Sequence, residues 1–136
     1  MATIKFNSTL RTSIIQLIAD SINAGTGTGY IEIYSGTQPS SPQVLVTNQV
    51  KLSTLTFSDP CGLVSTGTLT FSDITRDNTA DNSGTATWAR VFNADNVAVC
   101  DLDITDDLGT GAIKLDNIYI IQGMPILLNS MVIRLG

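Results

Sequence analysis

The chain is 136 residues long, enough for one domain. It is 43% hydrophobic and 14% charged, so it can build a core and is not expected to be disordered. A net charge of -5, with only seven Lys and Arg scattered along the sequence, gives no basic patch for nucleic acid and no attraction to an anionic membrane.

Thr and Ser together number 30. Thr carries a branched β-carbon that suits a pleated surface, so this composition reads as mainly β. The first eight residues form an arm that lacks the basic and then apolar pattern of a secretion signal. The only helical period follows it. Leu10, Ile14, Leu17, Ile18 and Ile22 recur at spacings that make one stripe. A helix is predicted over about 9–24, capped by Asn7, Ser8 or Thr9 and ended by Gly25.

From there the period changes to two. Strands are predicted at Tyr30–Tyr34, Val50–Phe57 and Leu63–Phe71, with a proline-bearing loop over 36–42. A polar, turn-rich loop spans Asp73–Gly84. Thr85–Phe92 is the clearest strand, with Ala86, Trp88, Arg90 and Phe92 on one side. Asn93–Asn96 turns the chain into Val97–Ile104, and Asp106–Gly111 is a further turn. Shorter strands are expected at 112–115 and 118–121, and an apolar segment at 125–135. Seven or eight short strands and one helix predict an antiparallel β-sandwich or jelly-roll-like domain over 9–136, with the N-terminal amphipathic helix packed on it. No segment is long and apolar enough to be a membrane span.

The chain contains no histidine. That removes the commonest general base, the commonest transition-metal ligand, and every Ser-His-Asp or Cys-His nucleophile system. Gly25, Gly27 and Gly29 precede a strand and do not open a helix, so they are no dinucleotide fingerprint. No catalytic residue and no cofactor is expected. Asp101, Asp103, Asp106 and Asp107 form the one acidic cluster. They read first as a solvated strand edge and turn, and second as weak calcium ligands, since calcium gathers carboxylate oxygens. A glycosidase pair would also need an aromatic-lined cleft, and the chain has one Trp. The Asp77–Asn82 stretch is explained by turn chemistry. Trp88 reads as core, Tyr30 and Tyr34 as core or interface, and Cys61 and Cys100 as buried free thiols.

Several segments in order resemble a family of small bacteriophage virion proteins. They are the amphipathic stretch Leu10–Ala24, then Tyr30-Ile31-Glu32-Ile33-Tyr34-Ser35-Gly36-Thr37-Gln38-Pro39, Leu55-Thr56-Phe57-Ser58-Asp59-Pro60, Gly84-Thr85-Ala86-Thr87-Trp88-Ala89-Arg90-Val91, and Asp116-Asn117 with Ile120 and Gly123. The resemblance covers about 10–135 and is to capsid decoration (cement) or related minor head proteins. It implies a β-sandwich that forms a homotrimer, binds the major capsid protein and stabilises the head, with no nucleic acid or membrane partner. The protein would be made in a host cytoplasm and end on the capsid surface. A tail, neck or fibre-associated subunit is the alternative, a carbohydrate-binding module a third reading, and an enzyme using Asp101 and Asp103 a fourth.

Overall fold

The computed structural model describes residues 4–135, so the first three residues of the expected arm lie outside it. Its single helix, α1, is Ser8–Asn23. Asn7 caps it: its backbone is extended and its Oδ1 accepts from Leu10 N at 2.7 Å, which satisfies an amide that a first turn leaves unpaired. Ala24 is extended and Gly25 takes φ +95°, so the chain leaves the helix there. The buried line is Ile15, Ala19 and Ile22, whereas Leu10 and Leu17 are exposed. The apolar stripe expected from large side chains alone is therefore rotated: Ala19, small enough for close approach, marks the buried face.

Ten strands follow: β1 (Tyr30–Tyr34), β2 (Lys51–Thr56), β3 (Gly62–Ser65), β4 (Thr68–Phe71), β5 (Gly84–Thr85), β6 (Trp88–Phe92), β7 (Ala98–Asp106), β8 (Ile113–Leu115), β9 (Tyr119–Ile120) and β10 (Leu128–Arg134). The chain is mainly β with one N-terminal helix. Leu63–Phe71 is a hairpin and not one strand, because Thr66 and Gly67 both take positive φ and make the tight turn that matches strand twist. Thr85–Phe92 is broken at Ala86-Thr87. Thr87 gives its amide to Tyr34 O and its hydroxyl to Gly36 O.

Eight strands form one sheet in the order β2-β1-β6-β7-β8-β10-β4-β3, and β5 pairs with β9 in a separate ribbon. Among the paired strands only β7 and β8 run parallel; the 107–112 turn folds back far enough to start β8 beside Ile104. The large sheet curls strongly. The stretch after β4 reaches the outer edge of β2, where Thr75 N donates to Thr56 O and Asp81 N to Leu52 O, each at 2.8 Å. That stretch thereby covers an edge that would otherwise offer free backbone groups. Ile31, Ile33, Leu55, Val91, Leu69, Ile113 and Leu115 fill one continuous core with Ile15 and Ile22 of α1. The helix lies along the β3–β4 hairpin, tied at one end by Gly67 N to Thr12 Oγ1 and at the other by Cys61 N to Asn23 Oδ1, both at 2.9 Å.

Candidate functional site

Side chains alternate across a strand, so the face opposite the core carries the second set from β1, β6 and β7. The register places Glu32 beside Arg90 and Arg90 beside Asp101, with Tyr34 beside Trp88. Arg90 lies at the centre of a closed network. Its Nε donates to Asp101 Oδ1 at 2.7 Å and its Nη2 to Asp101 Oδ2 at 3.0 Å. This is the two-pronged pairing that suits a guanidinium. Nη1 donates to Val44 O at 2.8 Å, and Nη2 also reaches Ser41 O at 3.3 Å. The side chains of Arg90 and Asp101 are 5% and 4% exposed, because the 36–49 loop lies over them. The hydrogen bonds that the guanidinium donates to Asp101 hold it protonated beyond its ordinary range.

The aromatic groups around this pair are stacked. Tyr34 and Trp88 rings lie 4.6 Å apart and nearly parallel, and the Arg90 guanidinium carbon sits 5.4 Å from the Trp88 ring centre, within cation–π range. Tyr34 donates its hydroxyl to Glu32 Oε1 at 3.0 Å. Burial, and then the Glu32 charge, push its pKa up. Lys51 reaches Glu32 and Asp81 at 3.6 and 3.7 Å. Tyr30 stacks on Phe92 and donates to Asn96 Oδ1. Trp88 is fully buried. The arrangement binds the loop to the sheet and presents no open reactive group.

The acidic cluster does not act as one unit. Asp101 is not part of a solvated edge, since both its oxygens are held by Arg90. Asp103 Oδ1 accepts from Ala112 N at 3.1 Å, across the turn between β7 and β8. Asp106 Oδ1 accepts from Leu108 N and Gly109 N, which is turn chemistry. Among the described residues no three His, Cys, Asp or Glu side chains gather as a metal site. Asp77 likewise serves the fold, accepting from Ser53 Oγ and Thr54 N on β2. A cleft of about 540 Å³ runs between the 109–112 turn and β10 and is lined by Asp103, Thr110, Lys114, Ser130 and Arg134. It brings one carboxylate of the cluster beside two cations.

Both thiols are free. Cys61 is buried and Cys100 half-buried; burial pushes their pKa up to about 11 and about 12, so both are held as unreactive thiols at neutral pH.

The second notable surface is apolar. Tyr119, Ile121, Met124 and Leu127 are each more than half exposed and lie in nine consecutive residues. They ring a depression of about 270 Å³ whose rim includes Asp116. The lobe is held by Gly123 N to Ala80 O and Ala80 N to Met124 O, both at 2.9 Å. A second exposed apolar set, Ile4, Phe6 and Leu10, lies at the start of the chain.

Comparison with protein-family models, curated proteins and solved structures gives no match.

Reading the sequence alone missed Arg90 as a centre of structure. Its signal was present: one charge within Trp88-Ala89-Arg90-Val91, a run otherwise fit for burial, which requires a partner. The lobe was also missed. Apolar residues on both sides of the Gln122-Gly123 turn cannot all face one core.

Proposed function

We propose that this chain is a bacteriophage virion structural protein, a capsid decoration (cement) protein that binds the major capsid protein as a homo-oligomer, a trimer by the family it resembles, and stabilises the head. The observation that carries this reading is the apolar lobe at 119–127. Four large side chains stand in water there on a domain that has a filled core and a charge-poor surface. A contiguous apolar patch on a soluble domain marks a contact surface. The buried Arg90–Asp101 pair and the loop it fastens fit the same purpose, a stiff unit that holds its shape. The ordered likeness to virion proteins names the partner. By this reading the protein is made in the host cytoplasm and works on the capsid surface without catalysis or cofactor.

A tail, neck or fibre-associated subunit remains the second reading, and the same lobe supports it. A sugar-binding module finds less support. Tyr34, Phe57 and Trp88 are buried, and among the described aromatic residues only Tyr119 is largely exposed. No helix among the described residues is long and apolar enough to cross a membrane.

The test is to mix the purified chain with expanded, undecorated phage heads and image them by electron microscopy. Regular added density on the shell and slower heat rupture are expected. Density confined to tails or necks selects the second reading, and no attachment to any virion part refutes both.

A further inference from the structure

We infer that the chain assembles head to tail, the apolar arm at Ile4–Phe6 of one copy seating on the 119–127 lobe of the next. The inference rests on the reading of this protein as an assembling subunit and adds the surfaces that meet. The arm precedes α1 and has no helical or strand pairing. Ile4 is 74% exposed and Phe6 39%, so the arm keeps apolar surface in water.

The topology keeps them apart. The start of α1 abuts the Thr66-Gly67 turn through Thr12, and that turn lies at the Arg134 end of β10, since Arg134 pairs with Thr68. The lobe enters β10 at its other end, Leu128. Seven strand residues separate the two, a rise of about 20 Å. Four residues of extended arm reach at most about 14 Å. The arm of the same copy therefore does not reach the lobe, whereas the arm of a second copy is free to.

Area and charge agree with that occupant. The four lobe residues expose on the order of 450 Å² of side-chain surface, and Ile4, Phe6 and Leu10 roughly 300 Å². One arm-on-lobe contact is small, but in a closed ring each subunit makes two. The arm carries Lys5 between its two apolar residues, and the rim of the lobe carries Asp116. A lobe meeting a second lobe would instead set Asp116 near its own copy and leave the arm bare. Different surfaces meeting in this way give a ring when the rotation closes.

The test uses the full chain with two exposed-site variants. One is Ile4→Asp with Phe6→Asp, the other Ile121→Asp with Leu127→Asp; circular dichroism and thermal unfolding check that both fold. Sedimentation velocity should show the unaltered chain above monomer mass, increasingly so with concentration, and each variant alone as monomer. Mixed one to one, the variants retain one intact arm and one intact lobe between them, and a heterodimer that grows no further is expected. Lys5→Glu should weaken assembly and Asp116→Lys should restore it. An arm variant that assembles like the unaltered chain, or a mixture that stays monomeric, overturns the inference. An unaltered chain that is solitary yet coats phage heads overturns it too and leaves the capsid-binding part of the proposed function standing. A chain that forms the ring but attaches to no virion part does the reverse.

Discussion

Removing the charge of Asp101 while keeping its shape isolates what the buried pair contributes. Asp101→Asn leaves one oxygen for the Arg90 guanidinium but no countercharge, on side chains only 5% and 4% exposed. With charge centres about 4 Å apart, the lost attraction is on the order of 4 kcal/mol at an effective dielectric of 20. Val44 O and Ser41 O still accept from the guanidinium and soften the loss. A net destabilisation of about 3 kcal/mol follows, in the range seen when one member of a buried pair is removed. For a domain of this size that is a large part of a total of roughly 5–15 kcal/mol and lowers the melting temperature by about 10 °C. Urea unfolding at constant m-value is the assay. The double variant Arg90→Met with Asp101→Leu should be nearer the unaltered chain than Asp101→Asn, because no charge is left stranded. Arg90→Met alone should also loosen the 36–49 loop, read as faster proteolysis near Ser41–Val44. Singles within about 0.5 kcal/mol of the unaltered chain, or a double variant worse than both singles, would refute the reasoning.

Further outcomes follow from the core and the hairpin. Native Cys61 and Cys100 should react with a thiol reagent at pH 8 on the order of a hundredfold or more slower than in the unfolded chain, since their pKa values of about 11 and about 12 leave little thiolate. The same shift has a sign for stability. The folded thiols keep their protons when the unfolded ones ionise, so this contribution is complete below about pH 8.5 and is lost as pH rises toward 11 to 12; replacing both by Ala should flatten that part of the profile. Gly67→Ala should cost about 1–2 kcal/mol, because φ is +71° and the new methyl meets Arg11 Cβ at 3.2 Å. Gly67→Asn should be milder in the same unfolding assay.

The helix and most strand positions were legible because period and punctuation are local. A cap among Asn7, Ser8 and Thr9, the Asn93–Asn96 turn and the proline-bearing loop over 36–42 all announce themselves in neighbouring residues. What was not legible depends on distant partners. Nothing near Leu63–Phe71 favoured a hairpin over a strand except the weak Thr66-Gly67 pair. Nothing in the spacing of Asp101, Asp103, Asp106 and Asp107 shows that the first is held by a residue on the adjacent strand while Asp103 and Asp106 serve a turn. The curl that carries the 75–81 stretch onto β2 likewise arises from the accumulated twist of many strands. The single large sheet therefore emerges only in three dimensions.

Salt should separate apolar from ionic assembly. Each copy carries a net charge of -5, so copies repel one another at long range, and that repulsion is screened beyond about 8 Å at physiological salt. Against it, the exposed Lys5–Asp116 pairing contributes at most about 1 kcal/mol. The other favourable contribution is the burial of apolar surface on the arm and the lobe, opposed by the loss of free motion on association. The apolar share is much the larger of the favourable contributions, and it does not weaken with salt. Raising sodium chloride from low to high concentration should therefore shift the sedimentation profile toward larger species. A chain that instead falls to monomer in high salt is held by charge, and the 119–127 lobe is then not the surface on which copies meet.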